Sequence, residues 1–201
     1  WSAMEVLVKD LDKLYKDLPE HFSVLKSPAE LSFSKQIRAM QASGPAGELI
    51  YFTEVSGDVP GFVLPTASLQ VNECFVMINA VSNIHTSIDF YAKLLGCEPP
   101  SPMPARVSLL SRLNGLDEEY KHDIAPIEIG PGQLFELDQW IKRDVPSAER
   151  VPCGWHSVSL RSKEEPPAGI FAVPVSEKND CRCFHIVGPD GEKIEWLCPA
   201  D

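Results

Sequence analysis

No stretch of this sequence approaches the roughly 20 consecutive apolar residues that span a bilayer. No basic-then-apolar leader ahead of a small-residue cleavage site is recognised either. The expectation is a cytoplasmic protein. Basic charge is scarce: 18 Lys and Arg stand against 29 Asp and Glu, a formal net charge of −11. That balance repels phosphate backbones and anionic bilayers at long range, so nucleic acid and membrane surfaces are not expected as partners. The sequence also lacks a CxxC knuckle. Of its six cysteines, Cys74, Cys97, Cys153, Cys181, Cys183 and Cys198, only Cys181 and Cys183 lie close together, as CxC. A zinc site joining that pair to Cys153 or Cys198 is therefore weakly supported. Most of the six sit in apolar, strand-like surroundings and read as reduced thiols packed as small hydrophobes.

What is present is ordinary globular composition, 44% hydrophobic and 23% charged over 201 residues. This suffices for one substantial core or two modest ones. The chain also repeats itself. Gly44-Pro45-Ala46-Gly47-Glu48-Leu49-Ile50-Tyr51-Phe52, Gly130-Pro131-Gly132-Gln133-Leu134-Phe135-Glu136-Leu137 and Gly188-Pro189-Asp190-Gly191-Glu192-Lys193-Ile194-Glu195-Trp196 share one pattern. Each follows an extended apolar run and turns on Pro and Gly, the chemistry of a tight corner, so each predicts a β-hairpin.

Two of the hairpins are preceded by a strand and an amphipathic helix. Ala3 to Val8 leads into a segment where Leu11, Leu14, Tyr15 and Leu18 recur at helical spacing. Cys74 to Val81 leads into Asn83 to Gly96, with Asn83 as N-cap and Gly96 as C-terminal stop. The third copy is degenerate. Trp155 to Leu160 alternates as a strand, but Glu165-Pro166-Pro167-Ala168-Gly169 follows, and two prolines rule out a long helix there.

The run Ile84 to Gly96, ending Ile-Asp-Phe-Tyr-Ala-Lys-Leu-Leu-Gly, resembles the first helix of a glyoxalase or bleomycin-resistance module. Gly188 to Glu195 resembles the terminal hairpin of such a module. The resemblance is to the vicinal-oxygen-chelate superfamily, which also includes extradiol dioxygenases. It implies an α+β fold of repeated βαβββ modules forming cupped mixed sheets. Residues 71–201 then read as a pair of modules, 56–70 as a linker, and 1–55 as one further module whose own partner would precede residue 1.

The resemblance also carries ligand positions, which lie on the first and last strands of each module. These fall on Glu136 and Glu195 in the repeated hairpin, on His156 ahead of the alternating strand, and on Val76, which cannot bind metal. Glu136 and Glu195 are thus the candidate catalytic residues, and His156, Glu136 and Glu195 the candidate metal ligands. In the N-terminal module the positions fall on Ala3 and Tyr51, so that module is expected to be structural or a substrate wall. What the resemblance implies is a protein that binds a small oxygenated metabolite. One reading is a lyase or isomerase dependent on a divalent ion (Zn, Fe, Mn, Ni or Mg), in which carboxylates also move protons. The other is a metal-free binder in the manner of bleomycin-resistance proteins. Val76 argues against an extradiol dioxygenase. A homodimer is also within the pattern.

Bland roles compete for the same residues. A Glu in a hairpin strand is more often a solvated face, and His156 beside Trp155 a hydrogen-bonded rim residue. His21 and His122 sit in polar surroundings, and His85 on the exposed side of its helix. His185 faces away from Phe184 and Ile186 and could line a cup as a base, though a strand-surface role is commoner. Trp140, Trp155, Phe184 and Trp196 default to core packing.

Overall fold

The structure, a computed structural model, describes residues 1–31, 34–61, 63–141, 154–178 and 180–200. Its strands are β1 (Ala3–Val8), β2 (Ser23–Leu31), β3 (Ser34–Ser43), β4 (Leu49–Val55), β5 (Val71–Val81), β6 (Met103–Arg106), β7 (Lys121–Gly130), β8 (Gln133–Gln139), β9 (Ser157–Arg161), β10 (Ala172–Lys178), β11 (Cys181–Val187) and β12 (Lys193–Pro199). Its helices are α1 (Leu11–Asp17), α2 (Ile84–Leu95) and α3 (Ser108–Asn114). No helix among the described residues is long and apolar enough to cross a membrane.

Local chemistry explains the helix ends. The Asp10 side chain accepts the Lys13 amide at the start of α1. Asn83 accepts the amides of His85 and Thr86 at the start of α2, and Gly96 ends that helix in the left-handed region at φ 66°. α3 was not expected from the sequence. Its signals are Leu109, Leu110 and Leu113 at helical spacing, followed by Gly115 at φ 68°.

The corners at Gly44 and Gly188 share one set of hydrogen bonds. The Gly44 amide donates to the Glu48 carbonyl at 2.8 Å and the Gly188 amide to the Glu192 carbonyl at 2.9 Å. In each corner the glutamate side chain folds back to accept a turn amide, Ala46 to Glu48 at 2.8 Å and Asp190 to Glu192 at 2.9 Å. A Cβ on Gly44 would lie 2.0 Å from Glu48 Oε1, and one on Gly188 would lie 2.1 Å from Glu192 Oε1. A side chain at either position would have to displace the folded-back carboxylate, so the glycines leave room for it.

Eight strands form one sheet in the order β2-β3-β4-β1-β5-β8-β7-β6, and four form another in the order β10-β11-β12-β9. Each module thus has the same internal order, with its first strand beside its last. β1 runs parallel to β4, and β9 runs parallel to β12. The N-terminal and middle modules join through antiparallel pairing of β1 with β5. β1 and β5 present Ala3, Leu7, Val76 and Ile78 to a shared core.

The chain divides into two compact units, Ser2–Asn79 with Glu128–Glu136, and Trp1 with Ala80–Ile127 and Leu137–Asp201. In the first, α1 lies beside β2, β3 and β4. Glu54 accepts the Leu11 amide at 2.8 Å, and Arg38 grips Asp12 through both guanidinium nitrogens. The second unit holds α2, α3 and the four-stranded sheet. There Tyr91 Oη donates to the buried Glu192 at 2.6 Å, and the Ser82 amide donates to Asp190.

Candidate functional site

In the first unit, strand register brings a distinct set of side chains onto one face. Glu5 stands opposite Tyr51 on β4 and Val76 on β5. Tyr51 in turn stands opposite Gln41 on β3. Partners in register share a face, so Gln41, Tyr51, Glu5 and Val76 form a cross-strand row. The apolar residues Ala3, Leu7, Val55, Phe75, Val76 and Ile78 make the floor, with Leu64, Ala67 and Leu134 packed against it.

Glu5 is therefore a carboxyl set among hydrophobic residues. Thr53 Oγ1 donates a hydrogen bond to it at 3.3 Å. Burial, joined by the charge of Glu136, pushes its pKa up to about 8, against a small lowering by Thr53. Two carboxyls that feel one another in an apolar setting cannot both ionise cheaply, so the pair keeps a proton near neutral pH. Cys74, on the neighbouring strand, is pushed up to about 11 by burial and by Glu5. Gln41 is 7% exposed, and its Oε1 lacks a hydrogen-bond partner.

The sequence-derived residues divide between the units. Glu136 lies in the first and bears directly on Glu5. His156 and Glu195 lie in the second. There His156 is exposed and accepts from Lys193 Nζ at 3.1 Å. Glu195 accepts from Ser159 Oγ and has His185 Nε2 3.8 Å away. Among the described residues no three His, Cys, Asp or Glu side chains gather as a metal would require. The five described cysteines are free thiols, while Cys153 lies outside the described residues.

Glu5 is the residue that sequence reasoning missed. The position counted from the family pattern was Ala3, one pleat repeat earlier on the same face, and Tyr51 likewise faces Glu5 from β4. The available signal was a single charge inside the apolar run Ala3-Met4-Glu5-Val6-Leu7-Val8. His122 also differs from expectation: it is 1% exposed, with Nε2 2.9 Å from the buried Ser111 hydroxyl. Burial lowers its pKa.

Comparison with solved structures decides the architecture. Glyoxalase I from Zea mays is similar over 98% of this chain and 66% of its own, with 15% identity and a TM-score of 0.62. The chain has the vicinal-oxygen-chelate fold. The V278E mutant of the Zea mays protein gives a TM-score of 0.64 at 16% identity. A putative dioxygenase from Bacillus subtilis gives 0.56 at 11% identity, over all of this chain and 62% of its own. The chain thus spans about two thirds of the length of these vicinal-oxygen-chelate structures. No family model matches the sequence, and no curated protein matches it.

Proposed function

We propose that this glyoxalase-like chain binds a small oxygenated metabolite in the cup around Glu5 and Glu136, as a metal-free binding protein. The observation that carries this reading is the Glu5 carboxyl, held near pKa 8 beside Glu136 over an apolar floor. A carboxyl that keeps its proton at neutral pH can donate to a ligand oxygen, and its partner carboxylate can accept from an adjacent hydroxyl. Together they match a pair of neighbouring oxygens while the apolar residues take up the carbon skeleton. Infrared difference titration tests this. A protonated-carboxyl band that titrates near pH 8 and vanishes in Glu5→Gln is expected. Ionisation of Glu5 in the ordinary carboxylate range would overturn the reading.

The second reading is a divalent-metal lyase or isomerase built on His156, Glu136 and Glu195, with Glu136 and Glu195 also moving protons. It draws support from the position of Glu136 beside Glu5. The donors fit a resident ion poorly, since among the described residues no three His, Cys, Asp or Glu side chains gather as one would require. Equilibrium dialysis against Zn, Mn, Ni, Fe and Mg separates the two readings. Retention of about one equivalent of metal, lost in His156→Ala, would establish the metal reading.

A further inference from the structure

Residues 63–69, between β4 and β5, lie against the apolar floor of the first unit. Leu64 and Ala67 pack on the cluster that holds Ala3, Leu7 and Val76, as does Leu134 on β8. Between them, Pro65 comes so close to Gly132 that a Cβ there would lie 3.2 Å from Pro65 Cδ. Val63, Thr66, Ser68 and Leu69 are exposed. The segment is thus a strap laid on the same floor that the binding reading assigns to a ligand's carbon skeleton.

The strap is held firmly at its ends and weakly in its middle. Ahead of it, Ser56 donates to the Gln36 carbonyl through its amide at 2.8 Å and its hydroxyl at 3.1 Å. Behind it, the Lys9 amide donates to the Gln70 carbonyl at 3.3 Å, and Gln70 Nε2 to the Asp10 carbonyl at 2.7 Å. The Leu69 amide donates to Asn72 Oδ1 at 2.8 Å. Among the described residues, the backbone of 63–68 makes no hydrogen bond to another backbone group. The middle therefore rests on the packing of a few half-buried side chains, a small share of apolar contact. A segment pinned at both ends and unbonded between them opens at low free-energy cost, without unfolding the sheet beneath it. Gly61, at the near end, is in the left-handed region at φ 88° with nothing within 4 Å of its Cβ position, so it can absorb the backbone rotation.

We infer that the strap is a displaceable plug: Leu64 and Ala67 occupy the floor until a ligand enters, and residues 63–69 move off it as the ligand does so. This rests on the cup being the binding site, as proposed above. Strap and ligand then compete for one apolar surface. The apparent affinity is the intrinsic one reduced by the fraction of molecules whose strap is open. Weakening the strap's packing therefore tightens binding.

Two readouts test this. The thiol of Ala67→Cys, labelled with iodoacetamide and followed by mass spectrometry against the exposed Cys97, reports opening without a ligand. The probe 4-methylpentane-1,2-diol, a small neutral diol with an apolar tail, reports binding by calorimetry. Adding Leu64→Ala is expected to quicken labelling at position 67 and to tighten the diol about five- to tenfold, from the loss of a half-buried branched side chain. Val63→Ala, on the exposed side of the strap, should move neither. Saturating diol should quicken labelling of the Ala67→Cys protein. Slower labelling with diol would make the strap a cover that closes over the ligand, and labelling indifferent to Leu64→Ala would mean that it does not open. Either result overturns the plug and leaves the cup standing. Faster labelling with unchanged diol affinity overturns it too, since strap and ligand then share no surface. If neither the parent nor Leu64→Ala binds the diol, the cup reading fails and the plug with it.

Discussion

The N-terminal and C-terminal modules have the same strand order and the same glycine-cornered hairpin, yet carboxylates on their sheets meet different neighbours. In the N-terminal module the inner face of β1 is joined to β5, and its apolar residues form a core that desolvates Glu5. In the C-terminal module the side chain of Glu195 is 39% exposed and satisfied by Ser159. Val173, in register with His185 and hence on the same row as Glu195, is 46% exposed. The comparison teaches that a position in a module does not make a site. What covers the face does, because burial turns an ordinary glutamate into a proton-holding group.

The largest expected effect breaks the comparison at its core. Leu7→Ala removes a fully buried side chain next to Glu5 and should cost about 2–5 kcal/mol by denaturant unfolding. Val173→Ala, on the exposed row of the other sheet, should stay within about 0.5 kcal/mol. Similar losses would mean that the two faces are equally covered.

The corners offer the opposite check, since there the modules are alike. Gly44→Ala and Gly188→Ala each place a methyl group on a folded-back glutamate and should each cost about 1–3 kcal/mol. A large difference between them would show that the shared pattern hides different packing.

The carboxyl itself gives a pH signature. The folded-state pKa of Glu5 is raised from 4.5 to about 8, so the folded protein holds this proton more tightly than the unfolded chain does. The associated stability is present below pH 4.5 and is lost as pH rises through about 8. Glu5→Gln should therefore flatten the stability profile between pH 5 and 9, by on the order of 2 kcal/mol relative to the parent. Glu195→Gln, at a half-exposed site, should change stability by less than about 0.5 kcal/mol. A parent profile that parallels that of Glu5→Gln would remove the contrast.

The smallest effect sharpens it chemically. Cys74, pushed up to about 11 by burial and by Glu5, should react with iodoacetamide at pH 8 at least about tenfold more slowly than the exposed Cys97. Glu5→Gln should quicken Cys74 and leave Cys97 unchanged, as read by mass spectrometry of the labelled peptides.

What was legible in the sequence was whatever neighbours along the chain decide. Asp10 and Asn83 cap helices through amides two or three residues away, and Gly96 ends α2 by its own backbone freedom. The hairpin corners close through residues four apart, with the glutamate that fills the corner inside the motif. These interactions are local, so the repeat and the α+β character could be read directly. Glu136 could be singled out as a candidate for the same reason, because its hairpin repeats the others.

Tertiary structure alone decided which modules pair and which carboxylate is desolvated. The environment of Glu5 is assembled from Tyr51 and Thr53 on β4, Cys74 and Val76 on β5, and Glu136 on β8. A pKa is set by burial and by charges within a few ångströms, and those neighbours come from segments up to 131 positions away in the chain. Glu5 looked like one acidic residue in an apolar strand until the sheet closed around it.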